Sequence, residues 1–561
     1  MRIIVVGGVA AGMSAAARAR RLDESAEIIV LERGSEVSFA NCGLPYHLSG
    51  EIAEAEDLLL HTPASLRAAL DLDVRLRHDV IGIDPDAKTV TATTPDGAVE
   101  IPYDALILTP GAAALRPPLP GLDSARVRTL RTVGDAVALR QQVTAGARRA
   151  VVLGAGFIGV EAAEALRAAG LTVDVVELAP HALPPLEREL ATLVHDELGA
   201  LGITVHAGVA AESIESDDAA DHVRLADGTV LDADLVVLSV GVRPDTAFAA
   251  DAGIETLREA MIVDDRGRTS VADVWAAGDA TVSIDAVTGV ARPVALAGPA
   301  NRAGRLIADD ILGGDTTARR IPAALGTAIV RVGSLTVAMT GANRQSLDDA
   351  QIPYETIHLH PNQHAGYFPG AAPVHLLAHI DPTDGRILGA QAAGVEGIDK
   401  RIDVIATAMR GDLRAPDLID LDLSYSPPYG SAKDAVNMLG MVAENVVTGR
   451  LRLWHAADAV DGSDALILDV RTRAEFATGH LPGALNIPHT DLRERIDDVR
   501  DAADGRPVRV LCAAGVRSHI AHRVLVAHGF DSTSLSGGTR TLRQWFGDAV
   551  DDVLVTEGVL A

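Results

Sequence analysis

Cysteine is almost absent: Cys42 and Cys512 are the only two in 561 residues. Two thiols so far apart do not suggest a structural disulfide, so each is read for its own motif context. Lysine is nearly as scarce, with Lys88, Lys400 and Lys433 the whole set, so almost every cation is arginine. Positive charge is in deficit overall, with 49 Lys+Arg against 77 Asp+Glu and a formal net charge of -28. That balance argues against nucleic acid or an anionic membrane as main partner, since both are themselves negative. Aromatics make up 3% of a chain that is 48% hydrophobic. Its cores must then be built from Ala, Val, Leu and Ile, which suits buried parallel strands and helices. No apolar run is long enough to span a bilayer without charges, and Met1-Arg2 leads straight into a strand. The expectation is a cytoplasmic protein of several domains, with no metal site.

Against this background two glycine-rich turns stand out. The first follows a short apolar strand, Arg2–Val6, and reads Gly7-Gly8-Val9-Ala10-Ala11-Gly12. An alanine-rich helix over Met13–Leu22 and a second strand over Glu27–Leu31, ending on Glu32, complete a dinucleotide-binding unit. Val9 stands where the middle glycine of G-x-G-x-x-G belongs, so this copy alone is a weak signal. The second copy is complete: strand Ala150–Leu153, then Gly154-Ala155-Gly156-Phe157-Ile158-Gly159, then a helix to about Ala169. Its closing strand Thr172–Val176 ends on Glu177. Three glycines allow a tight turn, close approach of backbone to pyrophosphate, and close helix–strand packing. Glu177 favours a free ribose 2′-hydroxyl, and no arginine follows in Leu178–Leu183; NADH is preferred over NADPH, though dual use stays open. Leu106–Gly111 and Val236–Gly241 are matching strand-to-glycine crossovers, and Val274–Asp279 places Asp279 for a ribityl chain.

Gly7–Gly12, Gly154–Gly159, Asp104–Gly111 and Val274–Asp279 together resemble the pyridine nucleotide–disulfide oxidoreductases over roughly residues 1–445. The Cys-x4-Cys redox pair of that family is missing. Ser38-Phe39-x-x-Cys42-Gly43 resembles instead its single-cysteine branch, and Gly43-Leu44-Pro45-Tyr46 is most similar to the coenzyme A disulfide reductases. The resemblance implies FAD against Gly7, Gly8, Ala10, Ala11, Gly12, Glu32, Arg33, Asn41, Gly278 and Asp279. It implies NADH or NADPH against Gly154, Gly156, Phe157, Ile158, Gly159, Glu161, Glu177 and Gly241. Ser14, Arg18 and Arg21 share one helical face. On charge alone that face is equally an anion site or a solvated surface; the resemblance turns it toward coenzyme A, together with Ser38, Phe39, Asn41 and Lys433. Arg20 lies off that face. Tyr367 and Tyr425, ordinary interface aromatics on residue type alone, are implied to reach the redox cysteine of the other subunit of a homodimer with shared active sites. The Cys42 thiolate is expected to be favoured by the flavin, neighbouring amides or a helix N-terminus.

The tail adds a second chemistry. Ala465–Arg471 reads as a strand ending in an acid–base pair, then come Gly479-His480-Leu481-Pro482-Gly483-Ala484-Leu485-Asn486-Ile487-Pro488 and a strand Val508–Leu511 that ends on Cys512-Ala513-Ala514-Gly515-Val516-Arg517-Ser518. A cysteine at a strand end, with a glycine in the loop and Arg517 five residues on, is a cradle of amides for a thiolate or persulfide. This set resembles the rhodanese sulfurtransferases. The expected fold class is α/β: two Rossmann-like domains, an α+β dimerisation domain and a C-terminal rhodanese-like domain. The expected spans are 1–112 with 242–320 for FAD, 113–241 for NAD(P)H, 321–448 for the interface, 449–459 as linker and 460–561 for the tail. The implied enzyme reduces coenzyme A disulfide, coenzyme A persulfide or polysulfide at Cys42, with Cys512 carrying sulfane sulfur. Two alternatives remain at this stage: an NADH oxidase or peroxidase cycling Cys42 through sulfenic acid, and a sulfur-carrier protein that delivers persulfide to a partner.

Overall fold

The computed structural model describes residues 1–313 and 319–556; residues 314–318 of the expected FAD-binding span and 557–561 of the tail lie outside them. The chain divides into two compact units, Met1–Ala182 with Gly199–Gly326, and Leu183–Leu198 with Thr327–Ala561.

The first unit holds two five-stranded parallel sheets of like design. In one, the order is Val274–Ala276, Ala105–Leu108, Arg2–Val6, Glu27–Glu32, Asp73–Leu76. In the other it is Ile203–Ala207, Thr172–Glu177, Arg149–Leu153, Leu235–Leu238, Val127–Arg128. Ile3–Val6 and Ala150–Leu153 are buried on both faces, as continuous apolar runs in parallel sheets should be. In both sheets the strand leading into the glycine turn lies between the strand that follows it in sequence and one that comes much later. That is the switch point where ligands bind beyond the strand ends. The chain passes between the two sheets through a short antiparallel pair, Ala112–Ala114 with Val242–Pro244, directly after Gly111 and Gly241, both at positive φ (72° and 117°).

One boundary differs from expectation. The first helix spans Ala10–Leu22, so Ala10, Ala11 and Gly12 are its opening turn rather than loop. The reversal needs only Gly7, at φ 97°.

The second unit contains a five-stranded antiparallel sheet, in the order Ala328–Val332, Leu335–Gly341, Ile387–Gly394, His375–Ile380, Glu355–Leu359. The helices Ile398–Arg410 and Ala435–Val447 supply Ile402, Ile405 and Leu439 to a core shared with this sheet. It also contains a parallel sheet, Leu453–Trp454, Ser532–Leu535, Val508–Leu511, Leu466–Asp469, Leu485–Asn486. The stretch 449–459, expected as linker, supplies the edge strand of that sheet. Trp454 is 3% exposed in its core, its indole donating to Val510 O at 3.2 Å. A large apolar ring with one donor gains more from that site than from solvent. The strand expected from Ala465 is shorter, Leu466–Asp469, because Arg471 turns back to bond Asp469.

Candidate functional site

In the first glycine turn, Thr109 Oγ1 donates to Val6 O at 2.7 Å, and a Cβ on Gly7 would lie 2.1 Å from Thr109 O. A Cβ on Gly12 would lie 1.9 Å from Gly7 O, so only glycine lets helix and strand approach this closely. Glu32 accepts from the Gly8 amide through Oε2 and from the Gly34 amide through Oε1, both at 2.7 Å. The carboxylate placed for a ribose thus also braces the phosphate turn; its remaining lone pairs are open to a hydroxyl. Arg33 pairs with Asp245. Asp279 lies 3.7 Å from Arg131, and burial pushes its carboxyl up while Arg131 opposes the shift.

The second turn repeats this arrangement. Glu177 accepts from Ala155 N at 2.7 Å and Ala179 N at 2.8 Å. Gly156 caps the helix Phe157–Ala168, and a Cβ there would meet nothing within 4 Å, leaving open space at a helix N-terminus where a pyrophosphate fits. Ile158 is 37% exposed beside this turn. The residues of both turns therefore fit two dinucleotides.

Cys42 is joined to the first turn through Ser38, whose amide donates to Gly8 O at 2.8 Å. Ser38 has φ 52°, a left-handed backbone uncommon outside glycine. Phe39 bridges Leu59, and Asn41–Gly43 forms one 3₁₀ turn before the helix Leu44–Ser49. A Cβ on Gly43 would lie 2.5 Å from Leu58 Cδ2, so the turn that presents Cys42 depends on that glycine. Cys42 is exposed. The chain's own groups do not favour its thiolate as expected: partial desolvation, and then the negative field of Glu161, push the thiol up. The reason is spatial, since the helix carrying Glu161 packs beside Leu44–Ser49 and Tyr46 Oη donates to Glu161 Oε1 at 3.4 Å.

The basic face of the first helix is only partly free. Arg18 Nε donates to Asp309 Oδ1 at 2.6 Å and Ser14 Oγ to Asn301 Oδ1 at 2.5 Å, while Arg21 is exposed. Arg20 is buried, donating to four backbone carbonyls, Leu70, Asp23, Glu24 and Asp71.

In the second unit Tyr367 and Tyr425 come together from distant loops, their hydroxyls 3.2 Å apart and both rings exposed. Lys433 is also exposed. Cys512 is 1% exposed at the end of strand Val508–Leu511. The Gly515 amide donates to its Sγ at 3.2 Å, and Sγ lies 3.5 Å from Ser518 Oγ, which Ser534 Oγ approaches to 2.9 Å. The loop's carbonyls are met by the next helix: Thr539 N donates to Cys512 O and Arg540 N to Ala513 O, at 2.8 and 3.1 Å. Arg517 is held by Glu475 through two bonds of 2.7 and 2.6 Å.

Reasoning from sequence missed Glu475, Ser534, Arg131 and Asp309. Glu475 had a local signal, because Thr472-x-x-Glu475 is a capping box. The others are brought in only by folding. Among the described residues no group of three or more His, Cys, Asp or Glu could hold a metal ion, and no helix is long and apolar enough to cross a membrane.

Family models match residues 1–298 as pyridine nucleotide-disulphide oxidoreductase, 327–436 as the dimerisation domain of that family and 455–543 as a rhodanese-like domain. Coenzyme A disulfide reductase of Staphylococcus haemolyticus is 33% identical over 450 residues, covering 79% of this chain and 100% of that protein. The structure of reduced Bacillus anthracis CoADR-RHD matches with TM-score 0.94 at 38% identity, covering 98% of each chain. A NAD-dependent persulfide reductase from A. fulgidus matches with TM-score 0.89 at 34% identity, covering 96% of this chain and 100% of that one.

Proposed function

Because the chain belongs to the pyridine nucleotide-disulphide oxidoreductases, flavoenzymes that use a nicotinamide dinucleotide, we propose that it is an NADH-dependent reductase of coenzyme A disulfide and of sulfane-sulfur species such as coenzyme A persulfide or polysulfide. The observation that carries this reading is the exposed thiol of Cys42, four residues after Ser38, whose backbone amide bonds Gly8 O of the first glycine turn. Relatives named as a coenzyme A disulfide reductase and a persulfide reductase support it. Gly7–Gly12, Glu32 and Asp279 would hold FAD; Gly154–Gly159 and Glu177 would hold NADH. Bound there, the two cofactors supply a two-electron relay.

The chain's own residues do the sulfur chemistry. The Cys42 thiolate attacks one sulfur of the substrate disulfide, forming a mixed disulfide and releasing the other thiol as thiolate. Glu161, which accepts from Tyr46 Oη, disfavours that thiolate. Tyr367 and Tyr425 of the partner subunit would donate a hydrogen bond to the departing sulfur, which makes the homodimer the working unit. Arg21 would meet the phosphates of coenzyme A, with Ser14, Ser38, Asn41 and Lys433 as further contacts. Arg18 contributes less, since Asp309 offsets its charge. Cys512 would carry sulfane sulfur as a persulfide in its amide cradle.

Anaerobic NADH oxidation with coenzyme A disulfide, coenzyme A persulfide and polysulfide tests the proposal. Turnover with at least one of them is expected. Consumption of oxygen or peroxide alone would instead favour the oxidase or peroxidase reading.

A further inference from the structure

We propose that the dimerisation domain positions the Cys512 loop: His360, acting through Thr541, holds the helix Gly538–Phe546 against that loop. The inference rests on the reading of Cys512 as a sulfur carrier and gives it a positioning residue outside the rhodanese-like region. His360 directly follows the edge strand Glu355–Leu359 of the antiparallel sheet, and Thr541 lies in the helix Gly538–Phe546. Both belong to the second compact unit.

The segment Ser536–Gln544 has two sides. On one, its helix begins against the Cys512 loop. Thr539 N donates to Cys512 O and Arg540 N to Ala513 O, at 2.8 and 3.1 Å. A Cβ on Gly538 would lie 2.3 Å from Cys512 O, so helix and loop are in direct backbone contact. The C=O and N–H of a trans peptide point opposite ways. These two bonds therefore turn the Ala513 and Ala514 amides away from the helix. Gly515 N, the next amide, donates to Cys512 Sγ at 3.2 Å. The direction of successive amides is what makes such a loop an anion cradle.

On the other side, the segment is fixed to the dimerisation sheet. Ser536 Oγ donates to Thr356 O at 3.1 Å and accepts from His358 N at 3.0 Å. Gly537 has φ 69°, and a Cβ there would lie 2.7 Å from His358 Cβ and 1.9 Å from Thr541 Oγ1. The chain passes so close to the strand that only glycine fits. One turn later, Thr541 is 1% exposed with its Oγ1 2.8 Å from His360 Nε2.

The direction of that last bond is set by its neighbours. Gln544 Nε2 donates to His375 Nδ1 at 2.6 Å, which makes that nitrogen an acceptor. His360 Nδ1, 3.0 Å away, is its second donor. Burial first, and then His375, His358 and Arg540, push His360 well below its ordinary value, so it is neutral. With the proton on Nδ1, Nε2 accepts the Thr541 hydroxyl. His360 is donor to the sheet and acceptor to the helix, and no hydrocarbon side chain can take both parts. Close-packed interiors pass a displacement on rather than absorb it. Loss of the His360–Thr541 bond therefore frees the first helical turn, and with it the amides that the turn aligns.

The test uses full-length Cys42→Ser protein, in which Cys512 is the only thiol, exposed to polysulfide and followed by mass spectrometry. The Cys512 thiolate attacks a sulfur of the polysulfide chain. One S–S bond forms, one breaks, and the shortened chain leaves with the electron pair. Thr541→Val removes the bond from the helix side and His360→Leu from the sheet side. Each is expected to slow loading by about fivefold or more, and the two together no further. His360→Gln, whose amide can donate to His375 and accept from Thr541, should restore most of the rate. With Cys42 intact, Thr541→Val should leave coenzyme A disulfide turnover within about twofold of the parent.

Loading unchanged in both single variants overturns the inference, and so do losses that add in the double variant. A Thr541→Val loss that coenzyme A disulfide turnover shares in equal measure overturns it as well, since that marks a general weakening of the fold. If the parent does not load at all, the carrier reading falls. Hydrogen exchange at the Thr539 and Arg540 amides then decides the coupling by itself: faster exchange in His360→Leu sustains it, and unchanged exchange overturns it.

Discussion

His360 and His375 meet Nδ1 to Nδ1 at 3.0 Å, an arrangement that requires one nitrogen to donate and the other to accept. Gln544 Nε2 also donates to His375 Nδ1, at 2.6 Å, and Thr541 Oγ1 lies 2.8 Å from His360 Nε2. His375 Nδ1 is therefore the unprotonated acceptor on which helix Gly538–Phe546 hangs. Burial, and then Arg540, hold His375 down to about 4; His360 is pushed down by burial and by His375.

A pH dependence follows with a defined sign. Between about pH 4 and 6.5 the unfolded chain protonates His375 and the folded chain does not. Stability then rises with pH across that window and is lost as pH falls through it. The nearby Glu187 and Glu189, both held below the ordinary range against the opposing effect of burial, add a loss of the same sign at lower pH. Thermal denaturation should show a drop from pH 7 to pH 5, with His375 contributing up to roughly 2 kcal/mol over that interval. A midpoint that stays flat over this range contradicts the role of the histidine pair.

Glu161→Gln removes a negative field from Cys42. The midpoint of its alkylation by iodoacetamide should move to lower pH in the variant. An unchanged midpoint would mean that desolvation alone governs the thiol.

Cys42→Ser should abolish NADH oxidation with every disulfide and persulfide substrate. Cys512→Ser should spare coenzyme A disulfide and slow turnover of persulfide or polysulfide. Equal losses on all substrates in the second variant would remove the division of labour between the thiols.

Glu177→Ala frees the amides of Ala155 and Ala179 and takes away the acceptor for a ribose hydroxyl. Hydrogen bonds to a charged group are worth ~1.5–3 kcal/mol, so KM for NADH should rise by roughly tenfold or more. Activity with NADPH should fall less. Equal change in both KM values would assign Glu177 to bracing the turn alone.

Gly12→Ala would set a Cβ 1.9 Å from Gly7 O and 2.6 Å from Thr109 Oγ1. Since the nearest obstacle is backbone, relief requires the helix to shift, at a cost of ~1–3 kcal/mol. Purified variant should show a reduced flavin absorbance at equal protein concentration; full occupancy would show that the turn can yield.

The sequence by itself determined the two Rossmann units, the single-thiol segment and the Cys512 loop. Each is written in contiguous residues, because a glycine turn, its flanking strands and its closing acid depend on local backbone geometry and short-range bonds. It also marked Tyr367 and Tyr425 without joining them. What tertiary structure decided are charges and acidities. Arg18 lost its freedom to Asp309, 291 residues away, and Arg517 to Glu475, 42 residues away. Cys42 acquired the opposing field of Glu161, and Leu453–Trp454 joined a sheet rather than a linker. A side chain's charge is legible in its letter; what neutralises or raises it depends on which distant segment the fold sets against it.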